Sequence, residues 1–313
     1  MATYRVLVTD QVFPDVEIET ALLAEVGAEL EVATGGVDEV RERGSDADAL
    51  LNTYLPIDRA TIQRLGRCRI IARYGIGVDN VDLEGAREAG IVVTNVPDYC
   101  VEEVAAHTLA LLLALLRRLP EADAKVRAGG WGLEGLRPIA RLSELSVGLV
   151  GYGRIARRLA ASLQELGMSI LMHDPYVTPE PGWPLMVSLE ELLASTDAVS
   201  LHAPLTPETR GLMGAEELAT MRPHSVLVNT SRGPLVRLPA LLEALRKGVI
   251  RGAALDVFEQ EPPDAGQFRD VPGLLVTPHM AYYSEAAIQE SQRKAAIQVA
   301  KVLTGQRPDY PVN

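Results

Sequence analysis

Residues 151–156, Gly-Tyr-Gly-Arg-Ile-Ala, decide the fold of this chain. A short apolar run at 146–150 precedes them and predicts a buried strand, and apolar residues at helical spacing follow them and predict a helix. Glycines on a strand-to-helix turn let the chain bend sharply and let a pyrophosphate approach the backbone at the helix N-terminus. Ala156 occupies the third position, where a small residue packs helix against strand. The motif therefore predicts a doubly wound dinucleotide-binding domain.

An acidic residue after the next predicted strand indicates which dinucleotide is bound. That strand, at 169–173, is followed by Asp174, roughly twenty residues after Gly151. A carboxylate at this point accepts hydrogen bonds from ribose hydroxyls and repels a 2′-phosphate, so the sequence favours NAD over NADP. The alternative is a structural glycine turn with an unrelated loop Asp, which the strand–turn–helix–strand context disfavours.

Composition and charge restrict the remaining possibilities. The chain has 313 residues, a formal net charge of −12 and 47% hydrophobic residues, which suggests two domains with sizeable cores. The acidic balance argues against nucleic acid or an anionic membrane as partners. Cys68 and Cys100 have no metal-like spacing, so we expect no metal site and a reducing compartment. With neither a signal peptide nor an apolar run long enough to span a bilayer, the protein is expected to be cytoplasmic.

Strands and helices alternate in two separate runs. The first run has predicted strands at 5–9, 30–33, 49–53, 70–74 and 91–95, and predicted helices at 16–26, 58–65 and 83–89. The second run has predicted strands at 146–150, 169–173, 197–201, 225–230, 252–256 and 274–277. Alternation of this kind predicts two parallel sheets covered by helices.

Three further helices connect and close these runs. Residues 101–118 are mostly apolar around the circumference, so this helix is expected to be covered on all sides. Residues 121–131 form a shorter predicted helix that ends at a glycine pair. A closing helix at 285–303 is expected to pack back on the first run.

Three reactive side chains follow the strands of the second run, where ligands bind in doubly wound sheets. Arg232 can grip a carboxylate in a two-pronged hydrogen bond, which suits a 2-oxo or 2-hydroxy acid. His279 suits proton transfer to a carbonyl, because its ordinary pKa lies near working pH. A carboxylate partner would orient the ring, and Glu261 is the candidate, with Glu259 as the alternative. A lone His is usually a hydrogen-bonded core residue, but Arg232 and Glu261 in register favour a proton relay.

Four motifs, in order along the chain, carry a resemblance to a known family. They are 151–156 with Asp174, the Asn-Thr-Ser-Arg-Gly of 229–233, the Asp-Val-Phe-Glu-Gln-Glu-Pro of 256–262, and the Thr-Pro-His of 277–279. Together they resemble the D-isomer-specific 2-hydroxyacid dehydrogenase family, and the similarity covers essentially all of residues 50–310. The resemblance places the family's catalytic triad on Arg232, Glu261 and His279.

The resemblance also implies a domain arrangement. It implies an α/β protein with two doubly wound parallel-sheet domains. The Rossmann-type NAD-binding domain would be residues 99–283, and a discontinuous flavodoxin-like substrate domain would be residues 1–98 and 284–313. The active site would be the cleft, which closes as the domains rotate about two hinges. Such enzymes are typically homodimers joined through their nucleotide domains.

Further family positions carry over onto this chain. The stretch 73–80 resembles the substrate-carboxylate loop. The implied substrate-binding residues are Arg73, Ile76, Gly77, Arg232 and Tyr282. The implied cofactor-binding residues are Ile76, Thr108, Gly151, Gly153, Arg154, Ile155, Asp174, Ala203, Pro204, Thr209, Thr230, Ser231 and Asp256.

Within the family, residues 279–286, and 95–97 followed by 101–103, most resemble the C-terminal-binding-protein branch, and the core is also similar to phosphoglycerate dehydrogenases. That branch contains NAD(H)-sensing corepressors as well as dehydrogenases, and its animal members place a Trp where this chain has Tyr282. A non-catalytic, NAD(H)-responsive binding protein is therefore the alternative function. The intact Arg-Glu-His set favours an NAD-dependent oxidoreductase acting on a small D-2-hydroxy or 2-oxo acid. A methyltransferase with a similar glycine turn leaves Arg232 and the Glu–His pair without a purpose.

Overall fold

The computed structural model describes residues 4–313 of the chain. The chain divides into two compact units, one of Met1–Tyr99 with Ser284–Asn313 and one of Cys100–Tyr283. Each unit is an α/β layer structure around an entirely parallel sheet, which confirms the predicted fold class. No helix between residues 4 and 313 is both apolar enough and long enough to cross a membrane.

The first unit contains a five-stranded sheet. Its elements are β1 (Tyr4–Val8), α1 (Glu17–Ala24), β2 (Ala28–Val32), α2 (Gly36–Arg43), β3 (Ala49–Asn52), α3 (Arg59–Ile62), β4 (Ile70–Arg73), α4 (Leu83–Glu88) and β5 (Val92–Thr94). The strand order β2-β1-β3-β4-β5 is the flavodoxin-like order, whose direction reverses between β1 and β3. The loops after β1, β3 and β4 therefore share one edge of this sheet.

The second unit contains a seven-stranded sheet. Its elements are α5 (Val101–Leu116), α6 (Leu119–Arg127), β6 (Ser146–Val150), α7 (Arg154–Glu165), β7 (Ser169–His173), β8 (Leu185–Met186), α8 (Leu189–Ser195), β9 (Ala198–Leu201), α9 (Ala215–Thr220), β10 (Val226–Asn229), α10 (Leu238–Lys247), β11 (Gly252–Leu255) and β12 (Leu274–Val276). The order β12-β11-β10-β9-β6-β7-β8 is the Rossmann order with one added strand. The direction reverses between β6 and β9, which is where such sheets bind nucleotides.

Two elements differ from the sequence expectation. The sequence predicts six strands in the second run, whereas the sheet has seven, because β8 is only two residues long and has no detectable periodicity. Helix α2 is also absent from the predicted elements. It buries only Val40 among its eight residues, so it lacks the apolar stripe on which helix prediction depends.

Helix α5 is the main support of the second sheet. Leu112, Leu115 and Leu116 on this helix are buried in one cluster with Val147 of β6 and Val228 of β10. Because α5 is apolar on most sides, its few polar side chains need hydrogen-bond partners within the protein.

The last helix, α11 (Glu285–Leu303), completes the first unit. Ala295, Ala296 and Val299 on this helix are buried in the same cluster as strands β1 and β4. Helix α11 therefore packs back on the first run of strands, and the first unit is assembled from both ends of the chain.

A buried carboxyl group links α11 to the rest of this unit. Glu19 of α1 is completely buried and accepts hydrogen bonds from Tyr74 Oη (2.7 Å) and Gln292 Nε2 (3.0 Å). Burial raises the pKa of Glu19 against the opposing effect of these two hydrogen bonds, and the charge of Asp15 raises it further. The folded protein therefore holds a proton on Glu19 more tightly than the unfolded chain does.

We expect the Glu19→Gln variant to reduce the pH dependence of stability. A raised carboxyl pKa gives a contribution that is complete below the unfolded-state pKa and is lost as pH rises through the folded-state pKa. The amide cannot ionise, so the variant should gain about 1 kcal/mol relative to the wild type between acidic and neutral pH. Urea unfolding across this range measures the difference, with the exposed Glu17→Gln as control. Parallel curves for wild type and Glu19→Gln would contradict the assignment.

Candidate functional site

The glycine turn after β6 lies at the point where the second sheet reverses direction. Gly151 has a φ of +87°, a conformation that favours glycine. A Cβ at this position would lie 2.8 Å from the nitrogen of Ala203 and from the carbonyl oxygen of His202, which follow β9. At Gly153 the position of a Cβ has no atom within 4 Å, so the turn is open on that side. The turn is thus closely packed at Gly151 and open at Gly153, as the approach of a pyrophosphate to the backbone requires.

Helix α7 and Asp174 border this turn. Arg154 and Ile155 are the first residues of α7, whose N-terminus faces the turn with its backbone N–H groups. The Asp174 carboxylate accepts the N–H groups of Tyr152 (2.8 Å) and Tyr176 (3.0 Å), one on each oxygen. An ionised carboxylate has about four acceptor positions, so Asp174 retains capacity for ribose hydroxyls. These residues fit an adenosine dinucleotide.

One side-chain hydrogen bond joins the loops after β9 and β10, and a second lies within the loop after β9. The Ser231 hydroxyl donates to the carbonyl of Ala203 (2.7 Å), and the Thr209 hydroxyl donates to the carbonyl of Pro204 (2.7 Å). These four predicted cofactor-binding residues therefore form one connected wall beside the glycine turn.

Two other predicted cofactor contacts form a buried pair. The hydroxyls of Thr108 and Thr230 are 2.7 Å apart, and Thr108 also hydrogen-bonds the carbonyl of Val104 (2.7 Å). Thr108 lies on α5 and is fully buried, and its hydroxyl helps to hold the Thr230 side chain in place.

The loop after β10 presents Arg232. The Asn229 side chain donates to the carbonyl of Arg232 (2.8 Å) and accepts the N–H of Ser231 (3.1 Å), which shapes the turn. Nη1 of Arg232 donates to the Ser231 carbonyl (2.8 Å). A Cβ at Gly233 would collide with the backbone of Phe258, so the loops after β10 and β11 pack backbone against backbone.

The Glu261 carboxylate lies against the imidazole of His279. Its Oε2 is 2.6 Å from Nδ1 of His279, and its Oε1 accepts the N–H of Phe258 (2.8 Å). Burial alone would raise the pKa of Glu261. The hydrogen bonds from His279 and Phe258, with the charges of His279 and Arg232, outweigh burial and lower this pKa. Glu261 is therefore ionised, and because a carboxylate only accepts, Nδ1 carries the proton of this hydrogen bond.

Two neighbouring residues have other partners. Glu259, the alternative to Glu261, is exposed and forms an ion pair with Arg210 Nη1 at 3.3 Å. The ring of Tyr282 stands edge-on to that of His279, with centroids 5.9 Å apart. The structure thus brings His279 together with Glu261 and Tyr282, and not with Glu259.

Asp256, a predicted contact to the nicotinamide end of the cofactor, is completely buried. Its Oδ1 accepts the Thr277 hydroxyl (2.5 Å) and the Met280 N–H (3.0 Å), and its Oδ2 accepts the Ala281 N–H (2.9 Å). Nε2 of His107, from α5, is 3.2 Å from the Thr277 hydroxyl. The sequence analysis missed Thr277 and His107 as parts of this network. The available signal was a histidine in an otherwise apolar helix.

In the first unit, Arg73 stabilises the loop that follows β4. Its Nε donates to Asn80 Oδ1 (2.6 Å), its Nη2 to the Thr53 carbonyl (2.6 Å), and its Nη1 to the Gly77 carbonyl. Asn95 Nδ2 donates to the carbonyl of Ile76, in the same loop (2.7 Å). Arg73 therefore fixes the backbone that carries Ile76 and Gly77.

The second unit matches a known protein domain. Residues 109–281 match the family model for the D-isomer specific 2-hydroxyacid dehydrogenase, NAD binding domain. The match contains the glycine turn, Asp174, Arg232, Glu261 and His279. NAD is thus the cofactor of the domain to which this unit corresponds.

Two curated relatives share more than a third of their aligned residues with this chain. The D-3-phosphoglycerate dehydrogenase of Methanocaldococcus jannaschii is 38% identical over 315 residues, covering 99% of this chain and 59% of that protein. The glyoxylate reductase of Thermococcus litoralis is 38% identical over 272 residues, covering 84% of this chain and 81% of that protein. The chain spans about half the length of the phosphoglycerate dehydrogenases that it matches.

A solved structure of a protein from Thermus thermophilus has the same architecture. It superimposes with a TM-score of 0.89 and 40% sequence identity, covering 99% of this chain and 100% of that one. The family model covers more than half of the chain, and the relatives align well beyond the matched domain. This chain therefore belongs to the D-isomer specific 2-hydroxyacid dehydrogenase family.

Proposed function

We propose that this chain is an NAD-dependent D-2-hydroxyacid dehydrogenase acting on a small 2-hydroxy or 2-oxo acid. The observation that carries the proposal is the 2.6 Å hydrogen bond between His279 and Glu261, in the unit that presents Arg232 and carries the NAD motif. A protein that only sensed NAD would not need a histidine oriented by an ionised carboxylate. The unit formed by both chain ends is proposed as the substrate domain.

The proposed cofactor site is built from the residues around the glycine turn. Backbone groups at Gly151, Gly153 and the start of α7 would hold the pyrophosphate, and Asp174 would bind the adenosine ribose. When bound, the nicotinamide supplies or accepts hydride at C2 of the acid. The loops that contain Ala203 and Ser231 would line the rest of the cofactor.

We assign substrate binding to two loops, one that carries the Arg232 guanidinium and one that carries the backbone N–H groups of Ile76 and Gly77. Arg232 would bind the carboxylate and polarise the C2 carbonyl, because a guanidinium forms paired hydrogen bonds to such oxygens. In the first unit, the family resemblance implies that the backbone N–H groups of Ile76 and Gly77 are carboxylate donors, and Arg73 holds their loop in shape. The names of the matched relatives make glyoxylate and 3-phosphoglycerate candidate substrates.

Proton transfer is assigned to His279. Glu261 holds the Nδ1 proton, so Nε2 is the nitrogen that would exchange a proton with the substrate's C2 oxygen. During reduction the proton passes from Nε2 to that oxygen, and during oxidation it returns. The hydrogen bond to Glu261 also fixes the orientation of the His279 ring.

The alternative, a non-catalytic NAD(H)-responsive protein like the corepressors of the C-terminal-binding-protein branch, is not favoured. The relatives described above are named as a dehydrogenase and a reductase. Placement within that branch rests only on the resemblance of 279–286 and of 95–97 with 101–103. A cytoplasmic location is proposed from the two buried thiols, Cys68 and Cys100, which suit a reducing compartment.

We expect His279→Asn and Arg232→Ala to lose turnover while retaining NADH. His279→Asn should lower kcat by about 10²- to 10⁴-fold, because the general acid is removed. Arg232→Ala should lower kcat/KM at least as much, because carboxylate binding and carbonyl polarisation are lost together. The assay follows NADH oxidation with glyoxylate, hydroxypyruvate, pyruvate and phosphohydroxypyruvate, and NADH binding by fluorescence.

The matched control for this experiment is Glu259→Gln, which should remain close to wild type because Glu259 pairs with Arg210 at the surface. Wild-type protein that binds NADH but reduces none of the four acids would contradict the enzymatic proposal. Unchanged turnover in His279→Asn would remove the proton relay.

We expect Asp174→Ala to weaken discrimination against NADPH. Loss of the carboxylate removes the ribose acceptor and the repulsion of a 2′-phosphate, so KM for NADH should rise about tenfold and the NADPH-to-NADH ratio of kcat/KM should increase. The exposed Glu180→Gln in the same loop is the control. An unchanged cofactor preference in Asp174→Ala would contradict the ribose assignment.

We also propose that the chain forms a homodimer through its nucleotide unit. The segment 119–133 exposes four large apolar side chains, and Trp131 is 86% exposed. The members of this exposed set are Leu119, Val126, Trp131 and Leu133. An apolar group of this kind on one segment is typical of a protein interface.

We expect the double variant Trp131→Ala/Leu133→Ala to shift the wild-type dimer towards monomer in sedimentation velocity. The reason is that aromatic and aliphatic anchors supply most of the energy of such an interface. Tyr176→Ala is the control, because Tyr176 is 78% exposed but lies outside the segment. A monomeric wild type, or a double variant that stays dimeric, would contradict the proposal.

A further inference from the structure

We propose that His107 and Thr277 are positioning residues for His279, acting through Asp256. The inference rests on the proposed function, since it concerns the residue that would transfer the proton. The network reaches from α5 to the loop 277–281 and holds the backbone on both sides of His279. We call this network of His107, Thr277 and Asp256 the bracket.

The backbone of His279 needs to be held. Its φ is +51°, in the left-handed region that residues other than glycine seldom adopt, although His does so more often than most, as Asn and Asp do. Such a conformation persists only where the surrounding contacts impose it. Its N–H donates to the carbonyl of Thr277 (3.1 Å), which closes a tight turn.

One carboxylate imposes this turn. Asp256 accepts the Thr277 hydroxyl on one side of His279, and the N–H groups of Met280 and Ala281 on the other. Asp256 itself is anchored at the end of β11, where its N–H donates to the carbonyl of Asn229 (3.0 Å). The orientation of the His279 imidazole therefore depends on three donors, which flank His279 in sequence and all hydrogen-bond to the Asp256 carboxylate.

The single proton of the Thr277 hydroxyl shows that His107 also takes part in this network as a donor. A hydroxyl has one proton, and Thr277 gives it to Asp256, because a carboxylate can only accept. The 3.2 Å contact between Thr277 and Nε2 of His107 therefore requires that Nε2 carries a proton and donates it. Nε2 also lies 3.6 Å from Asp256 Oδ1. His107 thus orients the hydroxyl that orients the carboxylate.

The same helix also supports the loop of Arg232. Thr108 follows His107 directly and hydrogen-bonds Thr230, two residues before Arg232. Neighbouring positions on α5 thereby contact the loop of the proposed acid and the loop of the proposed carboxylate binder. Helix α5 is a rigid element, and sites held by rigid elements keep the geometry that fast proton transfer needs.

The test compares Thr277→Val, which removes the hydroxyl and keeps the shape, with Thr277→Ser, which keeps the hydroxyl. Thr277→Val should lower kcat about 10- to 100-fold, because a small misplacement of the reacting group is enough for such a loss. Thr277→Ser should restore most of the activity. The fluorescence Kd for NADH should change much less than kcat in both, although Asp256 is also a proposed cofactor contact. The solvent deuterium isotope effect on kcat should rise in Thr277→Val alone, as proton transfer becomes slower.

A second pair addresses His107 directly. His107→Leu removes the donor and should lower kcat, whereas His107→Gln supplies an N–H donor and should retain more activity. The double variant His107→Leu/Thr277→Val should be no worse than Thr277→Val, because both changes break one chain of hydrogen bonds. Thr220→Val, which removes a hydroxyl bonded within α9, is the control for hydroxyl loss elsewhere.

The outcomes separate this inference from the proposed function. If His279→Asn is impaired while Thr277→Val and His107→Leu match wild type, the bracket has no positioning role and the proposed function stands. If no 2-oxo acid is reduced by the wild type, the proposed function fails first. If Thr277→Val fails to fold, the His107→Leu and His107→Gln pair decides, and equal activity in these two would overturn the inference.

Discussion

The close approach of the chain at Gly151 to the end of β9 is the constraint on which the nucleotide unit depends. At this point the sheet changes direction, and two loops leave neighbouring strands towards opposite sides. Only a residue without a Cβ fits against the backbone of His202 and Ala203, and only a positive φ turns the chain into α7. The crevice and the helix N-terminus that faces it are consequences of this contact, so fold and cofactor site have one origin.

The charge of Glu261, the partner of His279, depends on a balance of opposing electrostatic effects. Burial disfavours a charge on Glu261, yet hydrogen bonds and two nearby cationic groups lower its pKa. The same carboxylate would lose this advantage if His279 or the Phe258 N–H moved away, because desolvation would then dominate. The backbone contact between Gly233 and Phe258 holds the two loops close enough for Arg232 to contribute. The hydrogen bonds from His279 and Phe258 thus do most to lower the pKa of Glu261, and the charge of Arg232 adds the smallest contribution.

Much of this structure could be predicted from the spacing of apolar residues and from the four motifs. Alternating apolar strands predict both parallel sheets, and the four motifs predict which strand ends carry the reactive groups. The length of β8 and the polarity of α2 leave no periodic signal, so neither could be predicted. The sequence also could not reveal that the donors of Arg73 are used on Asn80, Thr53 and Gly77, because hydrogen-bond partners depend on loop geometry.

The polar residues of α5 explain why a mostly apolar helix is not simply a core helix. A buried imidazole or hydroxyl costs free energy unless it has a partner, so each such residue implies a partner elsewhere in the chain. Thr108 is fully buried and pairs with Thr230, and the preceding His107, whose side chain is 19% exposed, pairs with Thr277. A completely apolar α5 would leave the Asp256 carboxylate with fewer polar neighbours. The polar residues of α5 therefore indicate which loops this helix contacts.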